Sequence, residues 1–172
     1  EELLALKERL LWAREASIQT VRTTAGFTFP EFSQDYTYVA MSHPDEYPIN
    51  EGRLISNRGL DIPISSYFDH FQENHVSHSN ALQGSFKDGS SYLVGPMARF
   101  HFHYDQLTST CRELAEEAGI TRDCTNPFKS IVVRSVEVLY AVEEAIRLID
   151  GYVEPESAAV EIEPKAGVGF GC

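Results

Sequence analysis

The stretch from Asn126-Pro127 to Gly151 constrains this chain more than any other. Asn126 offers a cap oxygen, Pro127 fills the first helical position where its missing N–H is harmless, and Gly151 follows the last turn. Between them Phe128, Ile131, Val132, Ser135, Val138, Leu139, Val142, Ala145, Ile146 and Ile149 recur at helical spacing over about six turns. A helix over 127–150 with so continuous an apolar stripe must pack against other apolar surfaces, so a helical-bundle core is expected.

Two further helices are predicted. Leu3, Leu6, Leu10, Leu11, Ala13, Ile18 and Val21 give an amphipathic helix over 3–22, ended by Gly26 and Pro30. Leu107, Cys111, Leu114, Ala115 and Ala118 give another over 105–118, with Tyr104 or Asp105 as its cap and Gly119 as its stop. The middle, 35–94, is β-rich. Asp35 to Met41 reads as a strand, and 51–56 with 60–64 form a hairpin around Asn57-Arg58-Gly59. A second hairpin is expected from 81–86 and 90–94 around Lys87-Asp88-Gly89, and a last strand at 158–162. The fold class is therefore α+β: a helical-bundle core of about three long helices with a β-rich section between them.

Composition narrows the function classes. The 172 residues carry 26 acidic and 14 basic side chains, a net charge of -12, with the basic residues scattered, which argues against a nucleic-acid surface. Apolar residues make up 42% and aromatic ones 11%, which disfavours intrinsic disorder, and no apolar run reaches the roughly 18 residues of a membrane span. Cys111, Cys124 and Cys172 show no C-x-x-C spacing, which fits reduced thiols and a cytoplasmic location. Glu1 to Ala16 lacks the cationic start and cleavage site of a signal peptide. The chain opens without an initiator Met inside a helical pattern and stops at Gly171-Cys172, so an internal fragment is expected.

Candidate chemistry is thin. His75 with His78 and His101 with His103 are close pairs, and on a strand positions 101 and 103 share a face, so a free-standing metal-binding or hydrolytic domain built on these four imidazoles is one reading. No third ligand with its own spacing accompanies them. The terminal Gly167-Val168-Gly169-Phe170-Gly171 has no helix after it and does not form a dinucleotide fingerprint. Glu116-Glu117 and Glu143-Glu144 are expected to face solvent, Arg134 to pair with Glu137 three residues on, and no Gly-x-Ser-x-Gly elbow is present.

Three segments taken together resemble the large, nickel-binding subunit of the nickel-iron hydrogenases. Tyr92-Leu93-Val94-Gly95-Pro96-Met97-Ala98-Arg99 matches the family's Tyr-x-Val-Gly-Pro-Leu-Ala-Arg apart from Met97. Asn126-Pro127-Phe128-Lys129-Ser130-Ile131, leading into Arg134-x-x-Glu137 and Tyr140-Ala141-x-Glu143-Glu144-Ala145, resembles the cytoplasmic branch that couples hydrogen to NAD(P), a deazaflavin or sulfur compounds. Pro164-x-Ala166-Gly167-Val168-Gly169-Phe170-Gly171-Cys172 is similar to that branch as well, and Ser77-His78-Ser79-Asn80-Ala81-Leu82 is familiar from it.

The resemblance implies heterolytic cleavage or formation of dihydrogen in the parent enzyme. It also implies a nickel-iron centre held by four cysteine thiolates of two Cys-x-x-Cys motifs, with cyanide and carbon monoxide on the iron, and an iron-sulfur small subunit with further electron-transfer subunits as partners. Neither Cys-x-x-Cys occurs here, and Cys111, Cys124 and Cys172 match none of the four ligands, so no catalytic, cofactor-binding or metal residue is carried over. What the resemblance implies for residues 1–172 is an interior scaffold segment, inactive in isolation, with Arg99 and Arg134 in structural ion pairs and apolar faces left uncovered.

Overall fold

The computed structural model describes residues 2–169. Its elements in chain order are α1 (Glu2–Ala25), β1 (Val39–Ser42), β2 (Arg53–Ser56), β3 (Asp61–Ile62), α2 (Tyr67–His70), β4 (Phe71–Val76), β5 (Ser79–Phe86), α3 (Pro96–His103), α4 (Ser109–Glu117) and α5 (Ser130–Asp150). The class is α+β, as expected, although the helices number two long and two short rather than three long, besides the single turn of α2.

α5 begins as its sequence dictates. Asn126 Oδ1 accepts from the Phe128 N–H at 3.0 Å, and Pro127 to Lys129 form a single 3-10 turn that runs into the helix. Its buried side carries Val132, Val133, Val136, Leu139 and Tyr140. α1 lies antiparallel beside it, tied by Lys7 to Asp150 at one end, Arg14 to Glu143 in the middle and Thr24 to Ser135 at the other. Small side chains, Ser17 and Thr24 on α1 and Ser135 on α5, let the two backbones approach where the helices touch, and each hydroxyl returns a hydrogen bond to its own helix. α4 and α3 close the other sides, so Val21, Phe100, Cys111, Leu114, Ala115 and Leu139 meet in one core.

The expected helix over 105–118 is two elements. α4 starts at Ser109 because Thr108 caps it, its hydroxyl accepting from the Cys111 N–H at 3.2 Å, and not Tyr104 or Asp105. α3 occupies 96–103, with Pro96 in its first turn after Gly95.

β1, β2 and β3 form an antiparallel sheet in that order. The turn at Asn57-Arg58-Gly59 is present with Gly59 at φ 93°, and the Asn57 side chain accepts from the Tyr38 N–H and donates to the Tyr36 carbonyl. The strand expected from Asp35 is shorter, starting at Val39. The second expected hairpin is corrected: Gly89 does turn the chain, but β5 pairs with β4 through Phe71↔Phe86, and Leu93 instead bridges to Tyr38 in parallel. Aromatic contact selects this pairing, since Phe71 stacks on Tyr67 and Phe86 at 4.8 and 4.9 Å with Tyr92 edge-on at 5.1 Å. Residues 158–162 form no strand; the segment is exposed and finds no partner edge among the described residues. The expectations on Phe170, Gly171 and Cys172 lie outside the described residues.

Candidate functional site

The strongest polar constellation joins α3, α5 and the loop before β2. Arg99 on α3 donates to Glu137 on α5 through two nitrogens, Nε to Oε1 at 2.8 Å and Nη2 to Oε2 at 2.7 Å. The Tyr47 hydroxyl donates to the same Oε1 at 2.6 Å. Glu137 is buried and Arg99 half-buried, so the pair is fork-to-fork and shielded from water on one side. Burial and the neighbouring carboxylate push the Tyr47 phenol far above its ordinary range, and the Glu137 carboxylate raises the Arg99 guanidinium further. Tyr47 and Arg99 therefore hold their protons around the Glu137 side chain. They form a closed ionic junction with no spare acid, base or nucleophile.

Arg99 also lines a groove of about 860 Å³ bounded by Met41, Gly52, Leu54, Phe68 and Val94. The expected Arg134–Glu137 pair is therefore corrected. Glu137 turns inward, where a bidentate partner and a phenol satisfy it better than one exposed neighbour, and Arg134 points outward with no ion pair among the described residues.

A second junction lies between α1, α4 and α5. Glu143, expected at the surface, accepts from Arg14 Nε at 2.7 Å and from the Thr108 hydroxyl at 2.5 Å, and its side chain is only 12% exposed. Its neighbour Glu144 stays nearer the surface with Arg147, Glu116 accepts from Tyr104, and Glu117 pairs with Arg22. The Cys111 thiol beside this junction is buried, and burial pushes its pKa up to about 12.

The four histidines do not gather. His75 and His78 are exposed on the β4–β5 hairpin, the first beside its irregular register at Asn74/Val76 and the second in its turn. His101 and His103 sit on α3 rather than a strand, so residues two apart point to nearly opposite sides. His101 Nδ1 lies 3.2 Å from the Arg122 carbonyl and its ring 5.1 Å from Tyr38. His103 is buried, its Nε2 2.8 Å from the Met41 carbonyl, and burial lowers its pKa. Among the described residues no three His, Cys, Asp or Glu side chains converge to hold a metal.

A nickel-iron centre needs soft thiolates, and a buried thiol held at a pKa near 12 with its sulfur 3.7 Å from the Val136 carbonyl is the wrong donor. Cys124 is half-buried elsewhere. Neither described thiol is a suitable donor for such a centre.

Sequence reasoning named Arg99, Arg134 and Glu137 but missed Tyr47 and Thr108. Thr108 was detectable as a cap residue before Cys111; Tyr47 carried no local signal.

No helix among the described residues is long and apolar enough to cross a membrane. No family model matches the chain. The chain is similar to the alpha subunit of sulfhydrogenase 1 from Pyrococcus furiosus, 27% identical over 175 residues, an alignment that covers 95% of this chain and 41% of that protein. It thus spans about two fifths of the length of that relative, and the similarity supports a hydrogenase-related identity at this coarse level.

Proposed function

We propose that residues 1–172 form an interior scaffold segment of the catalytic subunit of a cytoplasmic nickel-iron hydrogenase, which oxidises dihydrogen reversibly and passes the electrons to an acceptor. The observation that carries this reading is similarity along nearly the whole chain to a sulfhydrogenase subunit. A structural relationship adds support. Two of the segments that resemble the family, 92–99 and 126–145, meet in the Arg99–Glu137 pair.

In this reading the nickel-iron centre is bound by cysteines outside residues 1–172, and an iron-sulfur small subunit with further electron-transfer subunits completes the enzyme. The work of this segment is positional: the two ionic junctions fix α3, α4 and α5 against α1 so that neighbouring parts of the subunit have a rigid wall to pack on.

The test is the reading frame around this sequence. An in-frame upstream Arg-x-Cys-Gly-x-Cys and downstream Asp-Pro-Cys-x-x-Cys-x-x-His are expected. A frame with neither motif overturns the proposal, as does nickel-dependent hydrogen uptake by residues 1–172 alone.

A further inference from the structure

The outer side of α5 carries apolar residues that no described residue covers. Ile131, Val138, Ala141 and Leu148 are exposed, Val138 to 48% and Leu148 to 58%, directly opposite the buried Val132, Val136 and Leu139. With Arg134 and Ala145 they fall at 131, 134, 138, 141, 145 and 148, alternating steps of three and four that trace the seam of a helix–helix interface. A helix that is apolar on both sides belongs in an interior rather than on a surface. Ala141 and Ala145 at the middle of the seam allow a second backbone to come close.

Arg134 decides what fits. It stands in the seam with no ion pair among the described residues, since Glu137 is held by Arg99 and Tyr47 and Glu144 by Arg147. An apolar cover strips water from this guanidinium without replacing it, so a covering element that brings a carboxylate fits best. Resting on the reading of this chain as part of a larger subunit, we propose that the outer face of α5 receives an amphipathic helix from the rest of that subunit. That helix presents apolar residues at heptad spacing and an Asp or Glu against Arg134.

The experiment places Ala141→Cys in the complete subunit assembled with its partners and in the 1–172 chain, and compares maleimide labelling with the same proteins lacking the substitution. The introduced thiol is expected to react about tenfold or more slowly in the complete subunit. Equal rates overturn the proposal. So does protection in the 1–172 chain with dimer formation by sedimentation, which makes a second copy the occupant.

A second comparison tests the carboxylate. Arg134→Glu is expected to lower the melting temperature of the complete subunit more than Arg134→Met, and neither is expected to move that of the 1–172 chain. Equal losses in the complete subunit remove the opposing acid. A reading frame without the cysteine motifs fails the parent assignment, whereas motifs present with an unprotected thiol at position 141 fail this inference alone.

Discussion

Arg99 and Glu137, 38 residues apart, meet as a two-point ion pair, and the hydroxyl of Tyr47 donates a third hydrogen bond to the carboxylate, at Oε1. Removing Arg99 leaves the buried Glu137 charge uncompensated. Arg99→Met is expected to cost about 2–3 kcal/mol, below the roughly 3–5 of a fully enclosed pair because the Arg99 side chain is 28% exposed. The double variant Arg99→Met/Glu137→Met should recover part of that loss. Urea unfolding measures both, and additive losses would sink the coupling.

His103 makes stability depend on acid. Burial lowers its pKa below the ordinary 6.5, so the folded state favours the neutral ring beside the Met41 carbonyl. Its contribution is fully present above pH 6.5 and is lost as pH falls toward the depressed folded value. The unfolding free energy of the native chain should fall as pH drops below 6.5, and His103→Gln should flatten that slope. An unchanged slope in the variant removes His103 as its source.

Cys111 titrates on the other side. Its thiol pKa rises from 9.0 to about 12, so the protonated form is favoured by folding, the contribution is intact below pH 9 and it is lost as pH climbs toward 12. A thiol reagent at pH 8 should find Cys111 only after unfolding. Cys111→Ala should therefore leave the native thiol count unchanged and lower the denatured count by one; a lower native count contradicts the burial.

Gly52 sits where the chain enters β2 with φ at 151°, and a Cβ there would lie 2.6 Å from the Ser42 carbonyl oxygen. Backbone cannot yield as a side chain can, so Gly52→Ala is expected to cost about 1–3 kcal/mol. Gly59→Ala, at φ 93° but in open space, is the control with a loss near 1 kcal/mol. Equal losses in chemical denaturation would remove the clash as the cause.

Legibility in the sequence followed the range of the forces. The Asn126-Pro127 start and the Asn57-Arg58-Gly59 turn were readable because a cap oxygen and a positive φ act over a few residues. α3 was missed because an eight-residue helix is too short to show its period, and His101-Phe102-His103 imitates strand alternation. The partner of β5 was hidden because the Phe71–Phe86 stack that selects it is a contact across 15 residues. At the candidate site both charged residues stood in quoted motifs, yet the nearer Arg134 seemed the natural partner of Glu137. Only the fold reveals that a half-buried fork from α3, with a phenol beside it, outcompetes a surface neighbour one turn away.

The three ties along α1 and α5, at Lys7–Asp150, Arg14–Glu143 and Thr24–Ser135, also have a mechanical meaning. Sliding one helix past the other by a turn would break all three at once, whereas separating the pair from an end breaks them in succession. Under load the two rods share shear as a single beam of about 30 Å, and they yield by peeling. Force entering along α5 is thereby delivered to α1 without a change of register.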